Sequence, residues 1–101
     1  MKKVIDGKRY DTATAALIAE YEHSDRSDFA WFDEALYRTK KGRFFLAGEG
    51  HANSRWAENY GTTRGPGQGI IALSAEEALA WCERYNVDAD TIANYFKIEE
   101  A

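Results

Sequence analysis

The chain has 101 residues, 45% of them hydrophobic and 14% aromatic, which fits one folded domain over residues 1–101 and excludes a disordered chain. Its single cysteine, Cys82, excludes an internal disulfide, and no stretch approaches the roughly 20 apolar residues that span a bilayer. The net charge of −4 is uneven: residues 1–73 carry eleven Lys and Arg against ten Asp and Glu (+1), and residues 74–101 carry two against seven (−5). The C-terminal segment therefore repels phosphate backbones. No apolar run follows Met1-Lys2-Lys3, so a soluble protein in a reducing, cytoplasmic setting is expected.

In chain order, Lys2–Ile5 and Lys8–Tyr10 flank Asp6-Gly7, a two-residue turn that predicts a small hairpin. Asp11 then predicts the N-cap of a helix running to about Glu22, with Ala13, Ala16, Leu17 and Tyr21 on one face. The polar, aperiodic run His23–Asp28 reads as a loop. Trp31, Asp33, Ala35, Tyr37 and Thr39 alternate as in a strand, whereas Phe29, Phe32 and Leu36 suit a helix face. The density of aromatics favours a strand from about Trp31 to Thr39. Lys40-Lys41-Gly42 follows as a hairpin loop, with Gly where φ must be positive. The return strand, Arg43–Gly48, is apolar on both sides (Phe45 and Ala47, Phe44 and Leu46), which predicts a central strand covered on two faces.

Asn53 or Ser54 predicts the cap of a short helix, Arg55–Tyr60, ending at Gly61. The glycine-rich run Gly61–Gly69, with the only proline, reads as a mobile connection to a third strand, Gly69–Leu73. Ser74-Ala75-Glu76-Glu77 is a capping box. The helix it opens is expected to bury Ala75, Ala78, Leu79, Cys82 and Tyr85, with Trp81 on its flank, and to stop at Asn86. Asp88 caps a last helix with the apolar face Ala89, Ile92, Ala93 and Phe96. The sum is an α+β fold: a small antiparallel sheet centred on the β-hairpin Leu36–Gly50, with helices packed on it.

No catalytic constellation emerges. Gly48-Glu49-Gly50 lacks the third glycine of a dinucleotide loop, Glu49 would oppose a phosphate, and glycines releasing a strand into a tight turn explain it better. His23, His51 and Cys82 are too few and too scattered for a metal site. Both histidines read as surface residues and Cys82 as a core thiol. Neighbouring acids such as Asp33/Glu34, Glu76/Glu77 and Glu99/Glu100 point apart and make no acid–base pair. No enzyme activity, cofactor or metal is expected. The two C-terminal helices are spaced like a helix-turn-helix, but Asp88 and Asp90 at the start of the second exclude phosphate contact.

Two surfaces remain. Arg38, Lys40, Lys41 and Arg43 cluster at the tip of the central hairpin, interleaved with Tyr37 and Phe44, a pattern suited to a single nucleic-acid strand. Glu76, Glu77, Glu83, Asp88 and Asp90 make the C-terminal helices an acidic surface suited to a basic protein partner.

The run Leu36-Tyr37-Arg38-Thr39-Lys40-Lys41-Gly42-Arg43-Phe44-Phe45-Leu46-Ala47-Gly48-Glu49-Gly50 resembles a motif of a family of short bacterial and phage mobile-element proteins. Tyr10–Ala15 before it and Ile70–Ala78 after it extend the resemblance over most of the chain, in the same order. Where that pattern carries Gly, this chain has His51. The resemblance implies a stoichiometric, protein-binding inhibitor of anti-CRISPR type, whose partner is a CRISPR effector complex or another host defence protein. The alternative is a small accessory protein contacting nucleic acid through the basic hairpin tip.

Overall fold

The computed structural model describes residues 1–101. In chain order the elements are β1 (Lys2–Ile5), β2 (Lys8–Asp11), β3 (Ala16–His23), β4 (Phe32–Arg38), β5 (Phe44–Gly50), β6 (Glu58–Tyr60), β7 (Thr63–Gly65), β8 (Gly67–Leu73), α1 (Ala75–Arg84) and α2 (Ala89–Tyr95). The α+β architecture expected from the sequence is present. An antiparallel sheet runs β3-β4-β5-β8, with β1–β2 and β6–β7 as separate hairpins.

The local turns form where their residues require them. Asp6 and Gly7 adopt φ of 52° and 74°, the paired positive values of a tight hairpin turn. Gly42, at φ 88°, closes the β4–β5 turn, where its N–H meets the Thr39 carbonyl at 2.9 Å. β4 and β5 are the two inner strands, paired from Phe32↔Gly50 to Arg38↔Phe44.

Residues 12–22 are not a helix. The Asp11 carboxylate accepts the Ala13 N–H (2.9 Å) and its carbonyl accepts the Ala15 N–H (3.2 Å), closing a single turn. The chain then extends along β4, with Tyr21 opposite Glu34 and His23 opposite Phe32. A register shift between Leu17 and Ala19 turns Ile18 into the core. That irregularity breaks the two-residue alternation of a strand, and Ala, Leu and Glu keep local preference helical. The unpaired backbone edge of β4 outweighs that preference, because its N–H and C=O groups need partners.

The helix expected over Arg55–Tyr60 is also absent. Ser54 Oγ accepts the Trp56 N–H (3.2 Å), but only a turn follows. Tyr60 then pairs with Thr63 across a turn at Gly61, φ 69°. Gly61–Gly69 is thus no loose connection: it contains β7 and the start of β8.

The capping box is complete. The Glu77 N–H meets Ser74 Oγ at 3.1 Å, and the Ser74 N–H meets Glu77 Oε1 at 2.8 Å. Ser74→Ala should therefore lower the unfolding free energy by about 1 kcal/mol in urea titration. α1 buries Ala78, Trp81 and Cys82; Trp81 is core rather than flank, while Ala75 is exposed and Leu79 half-buried. Asn86, at φ 54°, turns the chain towards Asp88, whose carboxylate accepts the Thr91 N–H at 3.1 Å. α2 packs through Ile92, Tyr95 and Phe96, leaving Ala89 and Ala93 exposed. The stacking of Phe96 on Phe44, at 4.8 Å and 9°, fixes that rotation.

The sheet carries a core on each face. On the helix side Ile18, Leu36, Phe44, Leu46 and Trp56 meet Ala78, Trp81 and Cys82 of α1. On the other side Phe45 and Ile70 are covered by Tyr10 of the β1–β2 hairpin, whose ring stands edge-on to Phe45 at 5.5 Å. Beyond that hairpin the same face bears Glu20, Asp33 and Glu49. Burial, then the charges of Glu20, Glu22 and Glu49, push the Asp33 carboxyl above its ordinary range.

Candidate functional site

Adjacent residues of β4 point to opposite faces, so Asp33 and Glu34 part company as expected. What the sequence conceals is that Glu34, 1% exposed, lies deep on the helix side. It faces Tyr21 on β3 and Gly48 on β5. Gly48 in turn opposes Gly69, and Gly50 opposes Gly67, so four glycines leave this stretch of β5 and β8 bare of side chains. Trp56 lies on that floor. A Cβ at Gly48 would stand 2.7 Å from Trp56 Nε1, and one at Gly50 would stand 2.7 Å from Ser54 Cβ. The glycines within β5 are therefore not a turn releasing the strand: they are the bed of the 54–56 segment.

The buried carboxylate is matched donor for acceptor. Oε2 accepts Arg55 Nε–H at 2.7 Å and Trp56 Nε1–H at 2.8 Å. Oε1 accepts Arg55 Nη2–H and Trp81 Nε1–H, each at 2.9 Å. Burial pushes the Glu34 carboxyl up, but the bonds from Arg55, Trp81 and Trp56, with the Arg55 charge, outweigh it and hold the group below its ordinary range. The same bond to Glu34 raises Arg55. An ionised carboxylate whose four acceptor positions are filled has no proton to donate and no lone pair free to take one. Glu34 is an anchor holding strand, loop and helix together, not an acid–base catalyst.

Beside this anchor a groove of about 730 Å³ runs between α1, the β3–β4 side of the sheet and the 53–55 segment. Tyr85 at its edge stacks on Tyr21 (3.9 Å, 16°) and meets Trp81 edge-on (5.2 Å), while Phe32 stacks on His23 (5.0 Å).

The acidic residues picked from the sequence are all exposed, but they differ in freedom. Glu77 and Asp88 are engaged as caps, and the N–H groups they accept, from Ser74 and Thr91 respectively, hold both carboxyls low. Glu76, Glu83 and Asp90 make no side-chain hydrogen bond or ion pair. The chain's only ion pairs are Arg26–Glu49 (3.7 Å) and Arg55–Glu34. Glu76 and Glu83 are seven residues apart, two helical turns, and share one stripe of α1.

Arg38, Lys40, Lys41 and Arg43 are exposed and unpaired at the β4–β5 tip. The rings interleaved with them are already committed: Tyr37 stacks on Phe45 (5.2 Å, 11°) and Phe44 on Phe96. No stacking platform accompanies these cations. Through Phe44, which pairs with Leu73 and stacks on Phe96, the start of α1 and the end of α2 lie at the same end of the sheet as the basic tip. Of the acidic residues, Glu76 and Glu77 belong to that start of α1, whereas Glu83, Asp88 and Asp90 belong to the end of α1 and the start of α2.

Cys82 is fully buried and its thiol is pushed up by that burial. His23 is exposed as expected. His51 is instead half-buried, packed against Trp31 (4.8 Å) with Nε2 at 2.9 Å from the Arg26 carbonyl oxygen, and so ties down the 24–31 loop.

The residues missed from the sequence are Glu34, Arg55, Trp56 and Trp81. The legible sign was the glycine spacing: pairs two apart, Gly48/Gly50 and Gly67/Gly69, empty one face of two strands on either side of a tryptophan. Comparison with family models, with curated proteins and with solved structures gives no match.

Proposed function

We propose that this chain is a non-enzymatic, protein-binding inhibitor from a phage or other mobile element, of anti-CRISPR type. In this reading it acts in the host-cell cytoplasm and occludes a basic nucleic-acid channel of a CRISPR effector complex or another defence protein. The observation that supports this most is the exposed, unpaired set Glu76, Glu83 and Asp90, continued by the capping residues Glu77 and Asp88 within a segment of net charge −5. Carboxylates with no internal cation keep their whole field for a partner, which speeds association and makes it salt-sensitive.

The test is capture of purified effector complexes at low and high salt. Glu76→Lys, Glu83→Lys and Asp90→Lys combined should weaken capture at low salt by about tenfold or more, with the far-ultraviolet dichroism unchanged. If the wild type captures no effector complex at micromolar concentration, or the triple variant captures as well as the wild type, the reading is wrong.

The accessory-protein reading keeps one support, the four unpaired cations of the hairpin tip. It requires a gel shift of single strands at low salt that Lys40→Glu with Lys41→Glu abolishes.

A further inference from the structure

We propose that the groove beside Glu34 is a binding site for a small planar aromatic ligand carrying one anionic group. The site goes beyond the inhibitor reading and does not depend on it.

Three features of the groove define this chemistry. Its volume, about 730 Å³, falls in the range of sites for small molecules. Its lining includes the half-buried rings of Phe32 and Tyr85, stacked on one side by His23 and Tyr21 respectively, and the 6%-exposed indole of Trp81, together an apolar wall for a flat body. Two guanidinium groups border it with donors to spare. Arg55 gives Nε–H and one Nη2–H to Glu34, which leaves three of its five N–H donors unused on a side chain 46% exposed. Arg84 has no carboxylate within 4.0 Å; its guanidinium lies 5.6 Å from the centre of the Tyr85 ring.

The acids at the groove do not cancel this. Glu34 is saturated. Glu77 stands seven residues before Arg84, about 10 Å along the helix, with Oε1 turned to the Ser74 N–H. An anion at either guanidinium would meet unused donors, and the one carboxylate of the groove that is not saturated, Glu77, lies two helical turns from Arg84 with one oxygen held by the Ser74 N–H. The site is also stiff, since the Glu34 carboxylate holds Arg55 and Trp81 from opposite walls at 2.7–2.9 Å. Binding there loses little side-chain freedom.

The test uses the full chain, ¹⁵N-labelled, with the indole N–H of Trp81 as reporter. Indole-3-acetate (carboxylate) and adenosine monophosphate (phosphate) are the probes, with indole-3-acetamide and adenosine as uncharged counterparts. At least one anionic probe should move the Trp81 resonance saturably with a Kd at or below about 1 mM. Its uncharged counterpart should bind about tenfold or more weakly, as should the probe itself to Arg84→Ala. Unchanged Trp56 Nε1–H and Arg55 Nε–H resonances show that the variant is folded. Which probe binds separates an aromatic carboxylate from a nucleotide. Absence of any Trp81 shift by either probe at about 10 mM overturns the proposal, as does equal binding of charged and uncharged forms or wild-type affinity in Arg84→Ala.

Discussion

Glu34→Ala should lower the unfolding free energy by about 3–5 kcal/mol, the range for breaking a buried pair by removing one partner. Two losses combine. The indole N–H groups of Trp56 and Trp81, both buried, lose their acceptor at about 1–3 kcal/mol each, and the missing side chain leaves a void beside them. Arg55 suffers less, because its half-exposed head can turn to water. Urea titration followed by tryptophan fluorescence measures the loss; a change below about 1 kcal/mol would show that the network is incidental. Glu34→Gln keeps the shape but sets an NH₂ against donors, and should still cost about 2 kcal/mol or more. The pH dependence carries its own sign. The folded Glu34 carboxyl lies below its unfolded value, so its contribution is complete above the ordinary carboxylate range. It is lost as pH falls through the lowered folded value. Asp33, whose folded carboxyl is raised, runs the other way and relieves strain as pH falls. Glu34→Gln should therefore flatten the acid side of the stability profile, whereas Asp33→Asn should not.

Gly48→Ala should be severe and Gly69→Ala mild, although the two glycines face each other across β5 and β8. A methyl at Gly48 enters the indole of Trp56, and that ring cannot yield without straining its bond to Glu34 Oε2. Overpacking together with that lost bond amounts to about 2–4 kcal/mol. A methyl at Gly69 stands 3.7 Å from the same ring, an ordinary contact, and should change stability by less than about 1 kcal/mol. Thermal unfolding of the two variants side by side decides the point. Equal effects would mean that the glycines matter for backbone freedom and not as the bed of Trp56.

The elements legible in the sequence are those whose causes lie within a few residues. Asp6-Gly7 and Gly42 demand positive φ, Ser74 and Glu77 satisfy each other's backbone, and Phe44–Ala47 declare a strand covered on both sides. Helical spacing alone puts Trp81 on the flank of α1; its indole is buried against an acceptor, Glu34, 47 residues away. Residues 12–22 have a helical local preference, and β3 exists because the edge of β4 needs partners, whereas β6 pairs only with β7, in a hairpin across Gly61.

The basic tip and the acidic helices were both visible as charge. Only the fold sets the start of α1 and the end of α2 at the tip's end of the sheet, because Phe44 pairs with Leu73 and stacks on Phe96. The hairpin Leu36–Gly50 is the structural centre: Gly42 closes its turn, while Gly48 and Gly50 leave room for Trp56 and Ser54. By itself the sequence determined the Asp6-Gly7 and Gly42 turns, the Ser74 and Asp88 caps, the α+β class and the uneven charge, because each follows from neighbours along the chain. Only the tertiary structure decided that Glu34 is the buried anchor. A carboxylate can be taken out of water only where donors arrive from elsewhere, here from positions 21, 22 and 47 residues further along the chain.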